Sequence, residues 1–141
     1  MLLAVSDVLV MREYDPLANS LERAGRLARG SLRMRAGEAL GLYWEVYGLG
    51  PDPETIALSV TLNKVAEGQL GELNEIADRD VNPPLSLMWQ ETVPAYMPIW
   101  GRSLDLSLPS DMSSGLYVLH LMVGAHGREP VHATRAFLVE N

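Results

Sequence analysis

The 141-residue chain contains no cysteine. That excludes disulfides, thiolate nucleophiles and Cys-ligated zinc or iron–sulfur sites, and leaves the redox compartment open. Catalytic fingerprints are missing as well. No G-x-S-x-G elbow occurs, and no Ser, His and acid grouping stands at recognisable strand ends. No glycine cluster separates a strand from a following helix, so phosphate loops and dinucleotide fingerprints are absent and no cofactor is implied. An excess of positive charge is lacking too. The net charge is −7, which makes the electrostatic term of non-specific DNA or RNA binding repulsive over most of the surface. Finally, there is no long hydrophobic run. The opening "MLLAVSDVLVMREYD" is interrupted by Asp7 and has no basic residues before it, so it reads as a first strand and not as a signal peptide or a bilayer span.

What is present is a globular composition with strand periodicity. Nearly half the residues are apolar, and the length suits one domain over residues 1–141. Ile56, Leu58, Val60 and Leu62 alternate with Ala57, Ser59 and Thr61, the pattern of a half-buried strand. Leu40, Leu42, Trp44 and Val46 share one phase, with Tyr43, Glu45 and Tyr47 in the other. Leu104, Leu106 and Leu108 alternate with Ser103, Asp105 and Ser107, and a further stripe runs through Tyr117, Leu119, Leu121 and Val123. Eight strands are predicted, over 2–11, 31–36, 38–48, 55–63, 84–91, 99–107, 115–124 and 130–139, separated by Gly- and Pro-bearing turns. Many short strands of this kind predict an all-β, immunoglobulin-like antiparallel β-sandwich. Two short helical insertions are expected: "LERAGRLA", capped by Asn19 or Ser20 and ending at Gly30, and "GELNEIADRD" after Gly71.

The last two strands predict a hairpin centred on His126. Tyr117 then faces Arg135, Leu119 faces Ala133 and Leu121 faces Val131, because a slip by one residue would break the apolar phase. This register sets His120 opposite His132. The pair supplies two imidazoles, one short of the protein ligand set of a catalytic zinc, and the alternative is two surface histidines. Asp78, Asp80 and Asn82 imitate the start of a calcium loop, yet Pro83 stands where glycine is needed and Trp89 where the bidentate glutamate belongs.

Charge is distributed unevenly. Between Asn19 and Gly37 lie Arg23, Arg26, Arg29, Arg33 and Arg35 against Glu22, a local charge of +4 that leaves −11 for the rest. These arginines, Arg23, Arg26 and Arg29 above all, form either a docking surface for an acidic partner or anionic headgroups, or an ordinary solvated face. Tyr43, Glu45 and Tyr47 occupy the strand face opposite Trp44, where amphipathic rings suit a partner, and Arg135 is a candidate ion-pair mate for Glu45. In "TVPAYMPIW" the prolines argue against a central strand. Tyr96, Met97 and Trp100 there make either an exposed contact patch or a plug at the end of the sandwich.

The segments "VSDVLV", "GLYWEVYGL", "SLDLSLPSDMSSGLYVLHLMV" and "ATRAFLV" resemble the accessory β-sandwich region of bacterial GWxTD domain proteins, although the naming motif does not occur. The resemblance implies an immunoglobulin-like sandwich of unassigned biochemical role in exported or envelope-associated, hence periplasmic or envelope-facing, bacterial proteins. Tyr117, following Gly115, is similar to the tyrosine corner of such sandwiches, whose hydroxyl bonds to the backbone just upstream. The functional expectation is a non-catalytic, non-enzymatic protein–protein interaction or scaffold domain. Two alternatives stand beside it. One is an extrinsic accessory subunit of a respiratory- or photosynthetic-type membrane complex, peripheral to the bilayer. The other is a metal-dependent hydrolase using His120, His132 or the Asp78 and Asp80 loop.

Overall fold

The computed structural model describes residues 2–65 and 85–140. Within them the chain forms nine strands and one short helix: β1 (Ala4–Val5), β2 (Leu9–Met11), α1 (Leu21–Gly25), β3 (Arg33–Arg35), β4 (Ala39–Tyr47), β5 (Glu54–Lys64), β6 (Leu85–Val93), β7 (Ile99–Ser107), β8 (Gly115–Ala125) and β9 (Val131–Glu140). The expected helix after Gly71 and the Asp78–Asn82 loop lie outside the described residues.

Two sheets enclose one main core. In the first, β4 is central, with β7 on one edge and β1 and β2 in succession along the other. The second has the order β3-β9-β8-β5-β6. Its pairings are antiparallel except for β3 with β9, which run parallel. The inward phases read from sequence meet between the sheets: Leu40, Leu42, Trp44 and Val46 face Ile56, Leu58, Val60, Leu62, Leu119, Leu121 and Val123, all buried. Trp44 is core, as its phase requires, and lies 6.2 Å from the Trp89 ring. The Tyr117 hydroxyl donates to the Ser113 carbonyl at 2.8 Å, the upstream bond that a tyrosine corner makes.

Four expectations need correction. The sandwich is not antiparallel throughout as predicted, because β3 pairs with β9 in parallel. The eight predicted strands are nine, because the stretch 2–11 is divided. Val5 pairs with Val46 and Leu9 with Tyr43, so three residues, Ser6, Asp7 and Val8, lie opposite two, Trp44 and Glu45. The surplus residue is a bulge at Ser6–Val8, and it moves the buried phase from Leu3 and Val5 to Val8 and Val10. The β8–β9 hairpin keeps the predicted parity but is displaced by two residues: Tyr117 pairs with Phe137, Leu119 with Arg135 and His120 with Thr134. A β-turn in which Arg128 N–H donates to the Ala125 carbonyl, with Gly127 at φ +76°, sets that register. The helix is also shorter than expected. Ser20 caps it by accepting from Arg23 N–H, but it ends at Gly25.

The excursion between β2 and β3 folds back over the outer face of the first sheet. Bare backbone makes this contact possible. A Cβ on Gly41 would lie 2.8 Å from the Glu13 carbonyl oxygen, and one on Gly101 would lie 2.3 Å from that of Asn19. Ser103 Oγ donates to the Asp15 carbonyl at 3.0 Å and ties the strap down. Met11, Ala18, Ala24 and Tyr43 make a second small core beneath it.

Candidate functional site

The strap divides the outer face of the first sheet. One half is covered; among the described residues no segment lies over the other, the bare half. On the bare half Ala4, Tyr47 and Ile99 stand in register across three adjacent strands. Ile99 is 52% exposed, Leu2 beside them 90%, and Tyr96 in the preceding connection 82%. At the boundary between the halves opens a cleft of about 290 Å³, lined by Ser6, Asp7, Leu9, Leu21, Tyr43, Tyr47, Glu45 and Arg135 among others.

The bulge builds this cleft. Ser6 N–H donates to the Glu45 carbonyl at 2.9 Å, and Glu45 N–H donates to Ser6 Oγ at 2.8 Å, so a side chain replaces a regular ladder partner. The Glu45 carboxylate accepts from the Tyr43 hydroxyl at 2.7 Å and from the Tyr47 hydroxyl at 2.6 Å, one on each oxygen. Both phenols are held above the ordinary tyrosine pKa. For Tyr43 the first cause is burial and the second its bond to Glu45; for Tyr47 the bond comes first. They are donors at neutral pH and not tyrosinate nucleophiles.

Arg135 enters from the other sheet. It shares the inward phase of Ala133, Phe137 and Val139 on β9, and its side chain reaches the cleft where the bulge opens the sheet edge. Its Nε is buried with no hydrogen-bond partner. Among the described residues no ion pair joins Arg135 to Glu45, although both line the same cleft.

A second carboxylate shows what a completed pairing looks like here. Glu91 shares the inward phase of Trp89 on β6 and faces β7 across the open side of the two sheets. Its oxygens accept from Trp89 Nε1 at 3.2 Å, Trp100 Nε1 at 3.1 Å and Arg102 Nε at 3.0 and 3.1 Å. Arg102 Nη2 adds an ion pair at 3.0 Å, and the guanidinium carbon lies 4.9 Å from the Trp100 ring centre. This cluster closes the gap between sheets.

The other residues singled out from sequence are dispersed. Tyr43 shares the Glu45 face as expected but is 1% exposed, because the strap covers it. Trp100 is half-buried in the Glu91 cluster and Met97 packs on the core, so of that aromatic run Tyr96 is the exposed member. Four of the five arginines are paired with acids. Arg23 pairs with Asp15 at 2.6 Å, Arg26 with Glu22 at 3.2 Å, Arg29 with Glu38 at 2.6 Å and Arg33 with Glu140 at 3.2 Å. Asp15 is held below the usual carboxylate range, chiefly by its bond to Arg23. His120 and His132 do meet, diagonally instead of face to face, with Nε2 and Nδ1 2.8 Å apart and stacked rings. Among the described residues no group of three or more His, Asp or Glu side chains converges on a metal position.

Sequence reasoning left Ser6, Asp7 and Leu21 out of the site. The signal for the first two was the change of apolar phase around them. Leu21 had none, since only the folding back of the strap brings it to the cleft.

No family model matches the chain, and no curated protein does. Solved structures do share its architecture. The sporulation control protein Spo0M of Bacillus subtilis superposes with a TM-score of 0.57 at 12% identity, over 100% of this chain and 50% of that one. A family 123 glycoside hydrolase from Clostridium perfringens, solved for glycolipid glycan hydrolysis, gives 0.55 at 10% identity over 100% and 27%. The Pseudomonas fluorescens alkylpurine DNA glycosylase AlkC, bound to DNA with an abasic-site analogue, gives 0.53 at 11% identity over 99% and 30%. The chain spans half or less of each of these proteins. At such identities the likeness establishes the fold and leaves activity to be argued from the site.

Proposed function

We propose that this chain is a non-catalytic interaction domain that docks another protein on the bare half of its first sheet. The observation that carries the reading is the in-register row of Ala4, Tyr47 and Ile99, with Leu2 exposed just before Ala4 and Tyr96 exposed in the connection that leads into Ile99. Single exposed apolar residues are ordinary, whereas a contiguous row across three strands beside a polar cleft has the anatomy of an interface. The Tyr117 bond supports reading the two-sheet fold as immunoglobulin-like, and the sequence resemblance to envelope-associated proteins supports a partner at the cell envelope. An accessory subunit of a membrane complex is a special case of this function. It is distinguished by co-migration with a large complex from solubilised membranes. The pairing of four arginines with acids of the same chain favours a protein partner over anionic headgroups.

A photo-crosslinking residue placed at Tyr96 in the native cell should give one discrete adduct that Ile99→Asp abolishes. The same label at Met88, which is equally exposed on β6 in the other sheet, should give none. Indistinguishable results at the two positions would sink the interaction reading.

A further inference from the structure

We infer that the cleft between Glu45 and Arg135 binds a small zwitterion of the α-amino-acid class with an aliphatic side chain. The inference rests on the cleft alone and is independent of the docking surface.

The first observation is a buried guanidinium N–H without an acceptor. Arg135 occupies an inward strand position, its Nε is shut off from water, and the described residues offer it no acceptor. A buried N–H donor in this state is destabilising unless something else completes it. The second is that opposite charges share the cleft without pairing. Arg102 and Glu91 show that such groups close to 3.0 Å in this fold when nothing is to come between them.

Charge then selects the ligand. The lining carries Asp7 and Glu45 against Arg135, so a simple anion meets an excess of carboxylate and a simple cation meets the guanidinium. A molecule bearing both charges satisfies both ends. Its carboxylate takes the donors of the Arg135 fork. Its ammonium takes lone pairs of Glu45, each of whose oxygens is used once by a tyrosine, together with the exposed Asp7. Leu9 and Leu21 line the same cleft and offer an apolar wall for an aliphatic side chain. At about 290 Å³ the space lies at the small end of ligand sites, which suits a metabolite and not a polypeptide segment.

The test is a titration of ¹⁵N-labelled protein with L-leucine, followed at the Arg135 Nε–H signal and at the amides of Ser6, Asp7 and Glu45. A saturable shift confined to these groups is expected. Two analogues use the wild-type protein: 4-methylpentanoate, which lacks the ammonium, and 3-methylbutylamine, which lacks the carboxylate. Each should bind at least about tenfold more weakly, the loss of one charge-assisted contact. Arg135→Met and Glu45→Gln should each weaken leucine by a similar factor, while Ile99→Asp leaves it unchanged. No saturable shift at about 10 mM leucine, well above a millimolar Kd, overturns the inference. So does an analogue that binds as well as leucine, and this comparison stands even where Arg135→Met does not fold.

Discussion

Glu45 and Glu91 are two half-buried carboxylates at opposite flanks of the same pair of sheets, and the fold treats them in opposite ways. Glu91 sits on the inward phase of an edge strand, where a charge is least welcome, yet every donor around it converges on its two oxygens. Glu45 sits on the outward phase, where a charge is unremarkable, yet it is held by two phenols next to a cation that it does not touch. The difference separates a carboxylate that completes a structure from one that faces unfilled space. Position in the strand pattern did not distinguish them. The count of satisfied partners did.

The largest effect should come from breaking the completed side. Glu91→Ala strands two indole N–H groups and a guanidinium between the sheets, and we expect a loss of about 3 kcal/mol, since partners of a removed charge are left desolvated and unpaired. The urea midpoint measures it, and Trp100 fluorescence should shift at the same time. A loss below about 1 kcal/mol would mean that the cluster is solvent-screened and does not hold the sheets together.

Glu45→Gln should be milder, about 1 kcal/mol, because the amide still accepts from one phenol and can donate to the other. Its distinguishing signature is in pH. Tyr43 and Tyr47 bind their protons more tightly folded than unfolded, so their share of stability is whole below the ordinary tyrosine pKa of about 10. It falls as pH rises through the raised folded values. In the variant Tyr47 loses the first cause of its shift, so the alkaline decline should be shallower, while Tyr43 stays raised by burial. Urea midpoints compared between about pH 8 and 11 decide this, and parallel curves for the two proteins would contradict it.

The smallest effect sharpens the contrast most. Arg135→Met in the ligand-free protein should stay within about 1 kcal/mol of the wild type, on the stabilising side, because the replaced group has no protein partner to orphan and methionine fills the inward position. A loss as large as that of Glu91→Ala would place Arg135 in the same structural class as Arg102 and erase the comparison.

Much of this fold was legible in local patterns. Alternation located the strands from β4 to β9, and odd spacing put Glu45 and Trp44 on opposite faces. Ser20 could be read as a helix cap and Tyr117 as a tyrosine anchored to its own upstream connection. The errors have one origin. Periodicity reports phase, which has only two values, so the β8–β9 hairpin was correct in parity and wrong by two residues, the smallest error that phase cannot detect. The division of the first strand was in principle visible, because Leu3 and Val5 fall on odd positions and Val8 and Val10 on even ones.

Exposure of the outer face was beyond the pattern altogether. Tyr43 looks solvent-facing by phase and is buried because a distant strap lies on Gly41, Gly101 and Ser103. The five arginines look like a cationic face and are mostly neutralised by acids, including Glu140 more than a hundred residues along the chain from Arg33. The sequence by itself determined the strand periodicity, the core-facing stripes, the negative net charge and the absence of cysteine chemistry, since these follow from residue type and spacing of 2. Only the tertiary structure decided which outward residues stay outside, which charges find partners, and that Glu45 and Arg135 share one cleft. Those outcomes depend on segments that meet in space without any periodic relation in the chain.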